Sequence, residues 1–319
     1  MPVISKYQMG RGCESWRQVL LEKEIAQMFD HEKLLVTTTA WLPDEVREAG
    51  LKKIKETENL HLLFLGMLDP HFPDESLKNN PRVHNLSCRD FVFWLLIVGR
   101  HFYKYSRERI LPEYPLEHNF LCYQRKVFPG REYMYDLLKE EKGIVTLSNK
   151  EILDFNKLVD DSTGNKEVFP DPEIPEELMM PNDIWSLGNL GIWRKCFLNI
   201  VSETAVAHGA DQYPFISEKT FKPIIGMRPF LIYGNHNITA ILKDRGFETF
   251  EDDFGFTFAD SYQSQANQIK NIVKQIDNPD LLYKKLLPKI EHNKNHFDKA
   301  VANEWQRLKE KIEYIHSLL

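Results

Sequence analysis

Apolar residues fall along this chain in short β-branched runs, separated by longer amphipathic stretches. "KLLVTTTAW" (33–41), "LHLLFLGMLD" (60–69) and "RVHNLS" (82–87) read as strands. "PDEVREAGLKKIKET" (43–57) predicts an exposed helix, because proline and acids open it and lysines close it. "FVFWLLIVG" (91–99) is apolar all round and falls in a predicted core helix over 88–104. A strand (119–127), a helix (130–143) and a strand (144–148) follow. Strands alternating with helices predict a parallel α/β sheet. Between 158 and 185 the periodicity lapses into an acidic, proline-rich stretch, read as a linker or covering loop. Regular patterning resumes with "KCFLNIVSE" (195–203), "PFISEKTFKPIIGMRPFLIYG" (214–234) and "ITAILKDRGFETF" (238–250), and from about 259 the pattern is helical. The expected organisation is an α/β domain over 1–157, a linker over 158–190, a second α/β domain over 191–275, and C-terminal helices over 276–319 that could pack back on the first domain.

Composition narrows the classes. With 319 residues and 42% apolar content the chain can bury a large core. A net charge of −6 does not suit a general polyanion binder. The charge is uneven: residues 1–150 hold 22 Lys/Arg and 21 Asp/Glu of the chain's 41 and 47, leaving 19 and 26 for the rest. Cys13, Cys88, Cys122 and Cys196 are too scattered for a zinc motif or a dense disulfide framework, so a reducing, cytoplasmic setting is expected. The N-terminus lacks the apolar stretch of a signal peptide. The apolar run at 91–99 is far short of the ~20 residues a bilayer span needs, so no membrane span is expected.

The chemistry gathers in the stretch 214–226. Ligands of open α/β sheets bind beyond the carboxyl ends of the strands, where helix N-termini offer N–H groups to anions. Glu218 and Lys219 fall there, with Ser217 as a plausible N-cap and Thr220 following. Pro223 removes one N–H, so the helix is expected to begin near Thr220 and to leave Glu218 and Lys219 on the turn. A carboxylate accepts hydrogen bonds from a ribose diol and a lysine neutralises a diphosphate. The bland reading is a helix-capping Glu218 and a solvated Lys219. The preceding strand, "FLNIVSET", also ends on an acid, Glu203, so two successive strands each deliver a carboxylate at the same end.

"FLNIVSET…YPFISEKTFKPIIGMRPFLIYG" resembles the donor-binding core of the α1,3-fucosyltransferases and related GT-B glycosyltransferases. The resemblance implies two Rossmann-like parallel-sheet domains facing a cleft, with a helical C-terminal tail, and makes 191–275 the nucleotide-sugar domain. It implies that Glu218 and Lys219 hold ribose and phosphates, with Glu203 near the donor sugar and loop 205–213 as an insertion. It extends to "NFLCYQRKVFPGREYMYDLL" (119–138), where Arg125 and Arg131 are candidates for a diphosphate-binding arginine. Main-chain groups near Tyr233 and Gly234 are expected to line the donor base.

Such a reaction passes through an oxocarbenium-like transition state, and cations around the leaving diphosphate lower its barrier. Lys219, an arginine and a helix N-terminus could supply this without a metal. No DxD stands where a metal-dependent transferase would place one, and the acids at 159–161 and 251–253 read as solvated. An inverting reaction needs a general base; Asp69, ending a strand, is preferred, with Asp74, Glu117 and His118 as rivals. His208 could touch the sugar. "GRHFYKYSRER" (99–109) reads first as core aromatics with a solvated basic face. Its other reading is an anionic acceptor site through Arg100, Lys104, Arg107 and Arg109, for a charged glycan or for DNA carrying hydroxymethylated bases, which some phage GT-B enzymes modify. The competing classes are an inactive sugar-nucleotide or glycan-binding protein and a nucleotide-sugar epimerase or dehydrogenase; a missing GxGxxG counts against the latter.

Overall fold

A computed structural model describes residues 34–38, 52, 61–65, 81–85, 92, 95–96, 98–99, 106–124, 127–147, 187, 190–203, 214, 216–259 and 261–318. The chain divides into two units, one of Met1–Ile97 with Val301–Leu319, the other of Val98–Ala300. In the first, strands β1 (Leu34–Thr38), β2 (His61–Leu65) and β3 (Val83–Asn85) form a parallel sheet in that order. These are the three strands expected from the β-branched runs. The helix expected over 43–57 lies outside the described residues except for Lys52, which is helical.

The second unit carries the larger sheet. Its elements in chain order are α1 (Arg107–Ile110), β4 (His118–Cys122), α2 (Pro129–Leu138), β5 (Gly143–Val145), α3 (Leu190–Lys195), β6 (Cys196–Ser202), α4 (Glu218–Ile225), β7 (Phe230–Tyr233), α5 (Asn237–Asp244), α6 (Glu251–Phe254), α7 (Tyr262–Lys274) and α8 (Pro279–Leu318). Residues 301–318 of α8 group with the first unit. The four strands are all parallel in the order β5-β4-β6-β7, with Phe120 opposite Leu198 and Ser202 opposite Tyr233. All seven residues of β6 are buried, as expected of an interior parallel strand covered on both faces.

This topology moves the expected boundary. The sequence placed 119–148 with the first domain, but β4 and β5 belong to one sheet with β6 and β7. Strand–helix alternation has the same period on both sides of a boundary, so pattern alone does not locate it. The order also reverses: the chain steps from β4 outward to β5, then returns to start β6 on β4's other flank. Such a reversal opens a crevice between the carboxyl ends of the two strands that part, here β4 and β6.

Helix pattern follows burial. In α2, Pro129 suits the first turn, and Arg131, Met134, Tyr135 and Leu138 make the buried stripe. In α8, Tyr283, Leu286, Ile290, Asn293 and Phe297 repeat at alternating spacings of three and four. Two buried asparagines tie helices to the frame. Asn119 of β4 donates to the carbonyls of Val273 and Ile276 at the end of α7, at 3.1 and 2.9 Å. Asn293 of α8 grips the backbone of Glu248 at both its N–H (2.7 Å) and its carbonyl (2.8 Å).

Candidate functional site

The helix α4 begins at Glu218, two residues earlier than Pro223 led the sequence reading to expect. Ser217 is the N-cap: its backbone is extended and its Oγ accepts from the Lys219 N–H at 3.3 Å. Pro223 stands inside the helix, where it forfeits one bond back to Lys219's carbonyl. The capped first turn outweighs that single loss. At the other end Met227 takes φ 53°, while its N–H and that of Arg228 close on Ile224 (3.4 Å) and Pro223 (2.9 Å), a Schellman stop with methionine in the left-handed seat. Gly226 precedes it under the indole of Trp193, whose Nε1–H donates to the Gly226 carbonyl at 2.9 Å.

Glu203 follows the last residue of β6 and is 1% exposed. Its Oε2 accepts from Ser217 Oγ at 2.7 Å; its Oε1 accepts from Ser217 N at 3.2 Å and from Thr220 Oγ1 at 2.6 Å. The first turn of α4 is therefore fastened to the carboxyl end of the sheet. Lys219 Nζ sits 2.9 Å from Glu218 Oε1 and 3.2 Å from Ser217 Oγ. The Lys219 side chain keeps 27% exposure, against 6% for Glu218. Of the two, Lys219 is the more open to solvent.

Arg131 spans the crevice. It rises from the first turn of α2, after β4, and donates to Ser202 Oγ (3.2 Å), the Ser202 carbonyl (3.0 Å) and the Glu203 carbonyl (3.3 Å) at the end of β6. It is 2% exposed, and the Phe128 ring lies 5.4 Å from its guanidinium carbon. Burial pushes its pKa down, while Glu203, Cys122 and Glu218 oppose the shift. The residue expected to grip diphosphate thus joins the first turn of α2 to the end of β6.

Tyr233 is fully buried and donates its hydroxyl to the Gly130 carbonyl at 2.8 Å; burial raises its pKa. Its carbonyl accepts from Glu203 N at 3.2 Å, and Gly234 N donates to Gln265 Oε1 at 3.3 Å. Of the main-chain groups expected to line a base, the Tyr233 carbonyl and the Gly234 N–H are thus bonded within the frame. Gln265, on α7, also donates to the Ala259 carbonyl at 3.0 Å. It lies 31 residues beyond Gly234, and no local motif announces it.

The structure thus brings Glu203, Ser217, Glu218, Lys219, Thr220, Arg131, Tyr233 and Gly234 to one end of one sheet. It separates the rival bases from them. Glu117 and His118 stand at the amino end of β4, the end opposite Glu203, and Glu117 pairs with Lys195 at 2.8 Å. Burial lowers the His118 pKa, with Glu117 opposing the shift. Asp69, Asp74, Arg125, Arg100, Lys104 and His208 lie outside the described residues. Of the basic cluster, Arg107 is ion-paired with Glu291 and Arg109 is exposed. Among the described residues no group of three metal-ligating side chains converges, and no helix is long and apolar enough to cross a membrane. No protein-family model, curated protein or solved structure matches the chain.

Proposed function

We propose that this chain is a glycosyltransferase that takes its sugar from a nucleoside-diphosphate sugar, with a GT-B arrangement of its two units. One observation carries the reading: a capped helix N-terminus bearing Glu218 and the solvent-reachable Lys219 stands at the carboxyl end of β6, beside the β4/β6 reversal. That is where a doubly wound sheet takes nucleotides, and where helix N–H groups and a cation favour a diphosphate. Two units that each carry an all-parallel sheet suit the GT-B reading.

In the proposed reaction the bond between the anomeric carbon and the diphosphate oxygen breaks, and its electron pair leaves with the diphosphate. Lys219 and the first turn of α4 stabilise the charge that develops there. Glu218 accepts from the ribose hydroxyls. The acceptor hydroxyl, of a glycan or of a hydroxymethylated base in DNA, attacks the opposite face of the anomeric carbon. Its proton passes to a general base, for which the sequence offers Asp69. Inversion of the anomeric centre follows.

The test is a thermal-shift panel with GDP, UDP, CMP, TDP and ADP, then the matching nucleotide sugars. Ligand at 100 times its dissociation constant stabilises by about 2.7 kcal/mol. Lys219→Ala removes a charge-assisted contact worth about 1.5–3 kcal/mol, so affinity should fall roughly tenfold to a hundredfold with the fold intact. No shift with any nucleotide at millimolar concentration, or equal shifts in wild type and Lys219→Ala, refutes the site. Binding without transfer to any acceptor would make the chain a sugar-nucleotide-binding protein.

A further inference from the structure

We infer that Glu203 is a positioning residue: it acts on the donor through α4, by holding the Ser217–Thr220 turn in the geometry that presents Lys219 and the helix N–H groups. The inference rests on the proposed nucleotide site and departs from the sequence expectation that Glu203 touches the sugar. The carboxylate is buried, and both of its oxygens accept bonds from the α4 turn: Oε2 from Ser217 Oγ, Oε1 from Ser217 N and Thr220 Oγ1. Ser217 Oγ in turn accepts from Lys219 N and Lys219 Nζ, so a chain of hydrogen bonds runs from the sheet to the lysine. Behind Glu203 the clamp is anchored. Its N–H donates to the Tyr233 carbonyl in the neighbouring strand, and its carbonyl accepts from Arg131 across the crevice. Bonds at both faces of one residue thus link the first turn of α2, the end of β6, the end of β7 and the start of α4. A carboxylate that attacked or deprotonated a substrate would have to give up bonds on which the lysine's placement depends.

Chemistry separates positioning from catalysis in a graded series. In Glu203→Gln one amide oxygen can still accept from Ser217 N and Thr220 Oγ1, but the amide nitrogen cannot accept the Ser217 hydroxyl proton. Glu203→Ala loses all three bonds. Positioning therefore predicts that Gln falls between wild type and Ala. Direct participation of the carboxylate predicts that Gln is as defective as Ala.

The experiment has two readouts on the full chain. The first is hydrogen–deuterium exchange without ligand. Glu203→Gln and Thr220→Val should each speed exchange in peptides covering 216–225 and leave β7 (230–233) unchanged. Wild-type exchange at 216–225 in both variants overturns the inference. The second is the dissociation constant of whichever nucleoside diphosphate stabilises the wild type, followed by donor KM and kcat. The expected result is about threefold to tenfold weaker binding for Glu203→Gln and a larger loss for Glu203→Ala. KM should rise and the pH profile of kcat should not move. Thr220→Val in the Glu203→Ala background should add no further loss, because both act through one unit. A lost limb in the kcat profile, or Gln as inactive as Ala with unchanged affinity, overturns positioning in favour of a catalytic carboxylate. If the wild type binds no nucleoside diphosphate, the nucleotide reading fails, and the functional half of the inference fails with it. Altered exchange would then identify the clamp as part of the fold alone.

Discussion

Replacing Gly226 by alanine isolates one contact with a calculable cost. A Cβ at this position would stand 2.3 Å from Trp193 Cζ2, 2.5 Å from Cε2 and 2.7 Å from Nε1. Carbon pairs rest at about 3.5–4.0 Å, so the indole must retreat by more than an ångström. It has little room to do so: Trp193 is 1% exposed, and its Nε1–H is bonded to the Gly226 carbonyl. Overpacking of a filled core costs about 1–3 kcal/mol, and the strained hydrogen bond adds about 1 kcal/mol. A less flexible unfolded chain returns about 0.4–1 kcal/mol. The net expectation is about 2–3 kcal/mol of destabilisation, or roughly 5–10 °C in Tm for a unit of this size. Gly234→Ala is the matched control. Its Cβ would meet nothing nearer than Glu203 Cβ at 3.4 Å, so its Tm should move by no more than a degree or two. Tm is read by circular dichroism, and Trp193→Phe is made alone and together with Gly226→Ala. The smaller ring should relieve the clash, so the double variant should be more stable than the two single losses predict, by about 1 kcal/mol or more. A Gly226→Ala protein within about 0.5 kcal/mol of wild type, or strictly additive losses, refutes the packing account.

Two further outcomes follow from buried groups. Arg228 is 2% exposed and donates to the carbonyls of Cys196 (2.8 Å), Ile110 (3.1 Å), Gly226 (3.2 Å), Met227 (2.9 Å) and Trp193 (3.0 Å). Arg228→Met should cost about 3–5 kcal/mol in denaturant unfolding, since it strands buried acceptors at about 1–3 kcal/mol each; a loss under 1 kcal/mol would show that those carbonyls find other donors. Burial raises the thiols of Cys122 and Cys196 to about 12, and the Tyr283 hydroxyl likewise to about 12. An unfolded chain ionises these groups from about pH 8.5–10, so the native state holds more protons above that range. Stability is then full below about pH 8.5 and falls as pH rises toward 12. Tm measured from pH 7 to 11 should be flat and then decline, with a shallower decline in Cys196→Ala; a rising limb would reverse the assignment.

Much of the scaffold was legible as pattern. All seven strands overlap apolar runs, with β4 and β5 each starting one residue ahead of the expected bounds, and Ser217 before Glu-Lys announces a helix start. The second of the two successive strands expected to deliver a carboxylate is not formed: Pro214, Ile216 and Ser217 are outside any strand, and Glu218 opens a helix instead. Four things were not legible. The sheet's membership depends on which strands pair at long range, and β4 reads alike whether its neighbour is β3 or β6. The expected start of α4 is displaced by Pro223, because local propensity carries no knowledge of the three bonds that Glu203 accepts from that turn. The carbonyl contacts of Arg131 are hidden for a related reason: an arginine at a strand–helix turn looks the same in sequence whether it faces an anion or a pair of carbonyls. Gln265 reaches the site region from α7, and it stands in no motif.

The two ends of α4 are held by unlike means. The front is tied through a carboxylate, whereas behind the helix Arg228 holds Gly226 and Met227 through main-chain carbonyls. Burial lowers the arginine's pKa only to about 10, so it stays cationic at neutral and acidic pH. Its partners have no proton to gain in acid. The rear of the helix is thus moored by an interaction without an acid limb, one that outlasts the protonation of carboxylates elsewhere in the chain.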